Sequence, residues 1–248
     1  MAGEPTLAGS RSKVLRRHYS RPPVRELIID LRAHLAPGQV WPVAFGKIAG
    51  KLVGRFSMAT NLNTPQASGV LLQDDETQRR IQARTDGFTY HSGPGLGTSA
   101  TTSYGGWESN RDAARAAWLT YRESVAVQTV SRLGVRYVNL IELPVLGDLD
   151  DYLLTGIRLG AALSETINAL HLQIELNLAE HRSAIVREGL IQIPKPAKAG
   201  LILDIDVFET ELALLSEDRI WELFEQLHEV ENRIFESSIT EKTRGLFE

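Results

Sequence analysis

The 248-residue chain contains no cysteine and only 2 methionines. Disulfides, thiolate metal sites and a cysteine nucleophile are therefore excluded, and a cytoplasmic location fits that absence. Long apolar runs are missing too, since none approaches the roughly 20 residues that span a bilayer. The opening stretch "MAGEPTLAGSRSKVLRRHYSRPP" is basic but lacks the apolar core of a secretory signal. Zincin helix, nucleophile elbow, Walker loop and Rossmann fingerprint are all absent. What remains is ordinary for a globular protein: 43% hydrophobic, 23% charged and 7% aromatic residues.

Charge is unevenly spread. The net value of −4 hides 18 Lys and Arg against 11 Asp and Glu in residues 1–144, and 9 against 20 in residues 145–248. A basic half and an acidic half can neutralise each other within one chain or between copies, or the basic half can serve an acidic partner. Residues 1–20 read as a flexible basic arm, whose Arg16 and Arg17 are candidate nucleic-acid contacts.

After Pro22 and Pro23, "VRELIIDLRAHL" alternates as a strand, and a helix begins near Pro42 with an apolar stripe of Val43 or Ala44, then Ile48 and Leu52. Residues 68–74 and 78–91 read as two strands, with a bend or bulge at Asp86-Gly87. A loop rich in Gly, Ser and Thr follows, then a helix from about Trp107 to Val125, then the strand "LGVRYVNLIELP". This β-α-β-β-α-β order predicts a ferredoxin-like unit over 21–144, with its first and last strands adjacent. Residues 145–248 predict an antiparallel β-meander and a long C-terminal helix capped by Ser216, packed on the first unit. The fold class expected is α+β.

The strand at 133–144 carries Arg136 and Asn139 among aliphatic neighbours. An unpaired charge there would be costly, so Arg136 is expected to meet Glu26 on the first strand, or another carboxylate. Asn139 is expected to bond a loop backbone. His228 and Glu231 lie one helical turn apart and are expected to hydrogen-bond to each other.

Four stretches, "RPPVRELIIDLR", "YGGWESNRDAARAAW", "SRLGVRYVNLIELP" and "LHEVENRIFESSITEKTRGLF", together resemble a sporadically distributed bacterial family of chains about as long as this one. The matching positions are Glu26, Tyr104, Trp107, Arg136, Tyr137, Asn139, His228, Phe235 and Thr240. The resemblance implies a stand-alone cytoplasmic protein carried on mobile or defence-associated loci, and brings no catalytic assignment.

Signals for chemistry are weak. The Gly-rich loop at 92–106 fails as a phosphate loop, because the next helix starts about ten residues after the glycines instead of at them. Beside a ferredoxin-like sheet it also resembles part of the CRISPR repeat-processing RNA endonucleases. That likeness implies a general base, for which His18 and His91 are the candidates, with Tyr90 and Tyr104 as partners or stacking surfaces. An acidic second half and a mid-chain loop depart from that pattern. Asp204 and Asp206 share a strand face and form a weak metal candidate, more simply read as solvated carboxylates. Tyr104, Trp107 and Trp41 are the aromatics placed to line a groove near the Gly-rich loop, with core or helix-start packing the simpler account of each Trp.

The reading that follows is a non-enzymatic binding or assembly component, of a bacterial defence or mobile-element system, acting through a protein interface or self-association. No cofactor is called for and no membrane is involved. The alternative is an RNA- or DNA-binding protein, including a metal-independent ribonuclease, using the basic half.

Overall fold

The computed structural model describes residues 17–52, 54–56, 58–63, 67–96, 104–144, 149–156, 169–194, 197–212 and 215–248. Nine strands form one antiparallel sheet: β1 (Val24–Leu35), β2 (Met58–Asn63), β3 (Ser68–Asp74), β4 (Arg79–Arg84), β5 (Gly87–Ser92), β6 (Val127–Leu143), β7 (Leu170–Ala179), β8 (Arg182–Pro194) and β9 (Ala197–Thr210). Their spatial order is β2-β3-β4-β5-β1-β6-β9-β8-β7. The helices are α1 (Trp41–Leu52), α2 (Trp107–Ser124), α3 (Glu217–Ser238) and the short α4 (Glu241–Arg244). No helix among the described residues is long and apolar enough to cross a membrane.

The chain is α+β, as expected, but its first half holds more strands than the alternation suggested. Residues 78–91 are a hairpin, β4 and β5, which turns at Thr85-Asp86 before Gly87. An additional edge strand, β2, precedes β3. Its sequence "MATNLN" carries little apolar alternation, so only its pairing with β3 makes it a strand. The order is therefore β-α-β-β-β-β-α-β, with β1 and β6 adjacent and antiparallel. Strands β7, β8 and β9 pair consecutively, and β9 pairs with β6 from Arg132↔Thr210 to Leu143↔Ala199. The boundary drawn at residue 144 thus falls within one continuous hydrogen-bonded sheet.

Period-two alternation sorts side chains onto two faces. Leu27, Ile29 and Leu31 of β1, Phe88 and Tyr90 of β5, Val135, Tyr137 and Ile141 of β6, and Leu203 and Ile205 of β9 are buried on the helical face. Helix α2 contributes Ala114, Trp118 and Tyr121, and α3 contributes Ile220, Phe224 and Leu227. Ser216 caps α3, its hydroxyl accepting from the Arg219 N–H at 3.3 Å. Thr240 caps α4 in the same way at 3.2 Å.

The end of the expected flexible arm is tied down. Arg21 N–H donates to the Phe247 carbonyl at 2.9 Å, and the Tyr19 ring meets Phe247 edge-on at 5.3 Å. Arg17 reaches the Glu241 carboxylate at 3.2 and 3.3 Å. Arg16 lies outside the described residues.

Gly87 has φ +146°, and a Cβ there would land on the Leu31 carbonyl oxygen of the neighbouring strand. Gly50, in contrast, faces open space on α1. Gly87→Ala is expected to cost about 2 kcal/mol or more, while Gly50→Ala should stabilise by about 0.5–1 kcal/mol. Urea unfolding of the two variants checks both signs.

Candidate ligand-binding cavity

Two polar centres lie on opposite faces of the sheet. The first, on the face without helices, is a charge lattice across β4, β5, β1, β6 and β9. Arg136 grips Asp204 through two hydrogen bonds of 2.7 and 2.6 Å, so the alternative partner, not Glu26, neutralises it. Register alone does not make the choice: Glu26 on β1 and Asp204 on β9 both lie opposite Val138, so each is a diagonal neighbour of Arg136 on the same face. Glu26 pairs instead with Arg80 and with His91 Nδ1, the latter at 2.9 Å. Buried Asp30 accepts from Thr89 at 2.7 Å, Arg132 at 2.9 Å, Arg32 at 3.1 Å and Arg84 at 3.3 Å. Burial pushes its carboxyl up, but the surrounding guanidiniums and the Thr89 hydroxyl outweigh that and hold it below the usual range.

Arg132 also bonds Asp206 at 2.9 and 3.0 Å. The oxygens of Asp204 and Asp206 are thus engaged by arginines, which removes the geometric basis for the weak metal reading. No cluster of three metal-ligating side chains occurs among the described residues. Further ion pairs join α2 to α3: Arg111–Glu225 at 2.5 Å, Arg115–Asp218 at 2.8 Å, and Arg122–Glu217. The basic and acidic halves neutralise each other inside one molecule.

The second centre is a cavity of about 490 Å³ on the helical face, where the start of α2, the middle of β6, the second half of α3 and residues 17–24 meet. Tyr104, Trp107, Tyr137, Asn139, His228 and Phe235, all positions that carry the family resemblance, border it. Sequence spacing on three separate elements could not show that they converge. Trp107 stacks on His228 with ring centroids 4.2 Å apart and 14° between planes, and its indole N–H donates to Glu225 at 2.9 Å. Tyr137 hydroxyl lies 3.3 Å from His228 Nδ1 and 2.9 Å from the Tyr104 hydroxyl. Asn232, one turn beyond His228, places Nδ2 3.0 Å from His228 Nε2. Asn139 donates to the Leu203 carbonyl of β9 at 3.1 Å, a strand backbone and not the loop expected.

The expected bond between His228 and Glu231 does not form. His228 is occupied by Trp107, Tyr137 and Asn232, while Glu231 is 3% exposed and has no hydrogen bond or ion pair among the described residues. Burial alone pushes its carboxyl well above the ordinary range. This carboxyl borders a cavity.

The other sequence candidates separate. His18, exposed, stands at the edge of this cavity, whereas His91 borders the charge lattice, so the two histidines do not share a site. Tyr90 is buried and bonds Asn110 at 3.0 Å. Arg17 is taken by Glu241. Sequence reasoning passed over Tyr19, Asn232 and Asp30. Only Asp30 left a signal, as a charge inside the apolar run "LIIDL".

Neither a protein-family model, nor a curated protein, nor a solved structure matches this chain.

Two outcomes follow. Arg136→Met should cost about 2 kcal/mol, because it strips the bidentate partner from buried Asp204, and adding Asp204→Leu should recover part of the loss. Urea midpoints of the single and double variants test this. For Glu231 the raised folded value means that the neutral form favours the fold at acid pH. That contribution is lost as pH rises from the ordinary carboxylate value, about 4.3, through the folded one. Glu231→Gln stays neutral and should lack this decline, so its stability should overtake the parent's as pH rises. Parallel pH–stability curves would contradict the unpaired state of Glu231.

Proposed function

We propose that the protein is a non-enzymatic binding component whose recognition site is the cavity between α2, β6 and α3, where a small molecule is held without being transformed. The carrying observation is Glu231, 3% exposed and with no hydrogen bond or ion pair to a described residue, at the edge of an aromatic-lined cavity of about 490 Å³, a size in the usual range for small-molecule sites. Binding is favoured over turnover by the chemistry of the walls. His228 is fixed by stacking and hydrogen bonds, and the described lining offers no hydroxyl nucleophile paired with a free base. Assembly through a protein interface in a defence or mobile-element system is the setting that the bacterial resemblance implies.

In this reading β1 to β6 is an enlarged ferredoxin-like unit with an added hairpin, and β7 to β9 a meander that widens its sheet. Nucleic-acid binding has less support. Arg17, its described arm candidate, is engaged by Glu241, and the arginines of α2 by α3.

Ligand-observed NMR against a mixed library of neutral, cationic and anionic compounds tests the proposal. At least one compound should bind, should be recovered unchanged after hours with the protein, and should lose about tenfold or more in affinity on Tyr137→Phe. Chemical conversion, or binding indifferent to Tyr137, would remove it.

A further inference from the structure

The cavity's ligand class can be narrowed, an inference that rests on the binding reading above. We propose that this cavity takes a small molecule carrying a positively charged nitrogen, an ammonium or guanidinium, with Glu231 as its counter-ion.

The argument begins with what each charged wall already does. Arg17, the cation at the mouth, is committed to Glu241 at 3.2 Å. Glu236 is committed to Arg244 at 2.9 Å and accepts from Tyr19 at 2.8 Å. The N-terminus of α2, a place where anions often bind, opens at Gly105 and Gly106. Its own first-turn carboxylate, Glu108, folds back so that a Cβ on Gly106 would lie 3.9 Å from Glu108 Oε2. The positive end of the helix is thereby already faced by a negative charge, and a second anion would meet repulsion.

Glu231 is different. It is enclosed, it borders the cavity, and no cation or donor reaches it among the described residues. A carboxyl left so is a costly choice for packing alone, since glutamine could bond more groups and leucine would need none. A cationic ligand converts it into half of a buried ion pair. The rest of the wall suits such a guest: the rings of Tyr19, Tyr104, Tyr137 and Phe235 offer the π faces that attract ammonium and guanidinium groups. His228, the remaining titratable group of α3 that lines the cavity, is stacked between Trp107 and Tyr137. His18, which also lines the cavity, is exposed to solvent.

Burial raises the Glu231 carboxyl well above the ordinary range in the empty cavity, and a bound cation favours its ionised form, so binding releases a proton to solvent. Neither a neutral nor an anionic ligand makes this demand, which gives the proposal a signature of its own.

Calorimetry on the full chain near neutral pH, in two buffers of different ionisation heat, reads that proton directly. The probes are tyramine, agmatine and spermidine, with 4-ethylphenol as a neutral and 4-hydroxyphenylacetate as an anionic counterpart of tyramine. At least one amine should bind with release of about one proton. Glu231→Gln, which mimics the neutral side chain and should fold, should weaken that amine about tenfold or more, abolish the proton release and leave 4-ethylphenol unaffected. If only the neutral or anionic probe binds, or an amine binds equally to Glu231→Gln, the cation assignment is overturned while the cavity reading stands. If no probe binds at millimolar concentration and the library screen is also empty, both fall together.

Discussion

The pairing of β6 with β9 is the contact on which the rest of this molecule depends. It joins a basic half to an acidic half, and it does so with charges inside a sheet. Arg136 on Asp204, and Arg132 bridging Asp206 and Asp30, put guanidiniums where an unpaired cation could not remain. Such pairs add little net stability over apolar residues of the same size, but they penalise every wrong register. Sliding β9 by one residue would send Asp204 and Asp206 into the helical core and Leu203 and Ile205 to the open face. The arginines of β6 and aspartates of β9 therefore fix how the two halves meet.

With that register set, the two faces acquire separate characters. The open face is a lattice of paired charges, with Asp30 at its middle held below the usual carboxylate range by its neighbours. On the helical face, the same β6 strand sends Tyr137 and Asn139 under α2 and α3. There the polar groups are fewer and more enclosed, and burial pushes the carboxyl of one of them, Glu231, well above the ordinary range. Alternation along a single strand thus supplies scaffold on one side and a candidate site on the other.

Parts of this were legible in the residues. The stripe Ala44, Ile48 and Leu52, the Ser216 cap, and the Trp107 start of α2 are local patterns, set by helix periodicity and by the chemistry of chain ends. The need for a carboxylate partner to Arg136 was legible too, because desolvation cost follows from residue type and neighbours. Which carboxylate it would be was not. Glu26 and Asp204 flank β6 at the same register, both opposite Val138, and only the tertiary structure shows that Glu26 is already engaged by Arg80 and His91. The β4–β5 hairpin was legible only as a bend or bulge at Asp86-Gly87 within one strand, because local sequence does not separate a bulge from a full reversal. Its reversal depends on Gly87 lying against the Leu31 backbone, a contact with a distant segment.

The candidate cavity marks the division most clearly. The sequence by itself determined the α+β class, the helices and their caps, the absence of thiol chemistry, and the opposite charges of the two halves. These depend on composition and on spacing within one element. That Tyr104, Tyr137 and His228 form a chain, that His228 turns to Trp107 and away from Glu231, and that Glu231 stands unpaired beside a cavity were decided only by tertiary structure. Each of those facts compares distances between elements far apart in the chain, and no periodicity within an element encodes them.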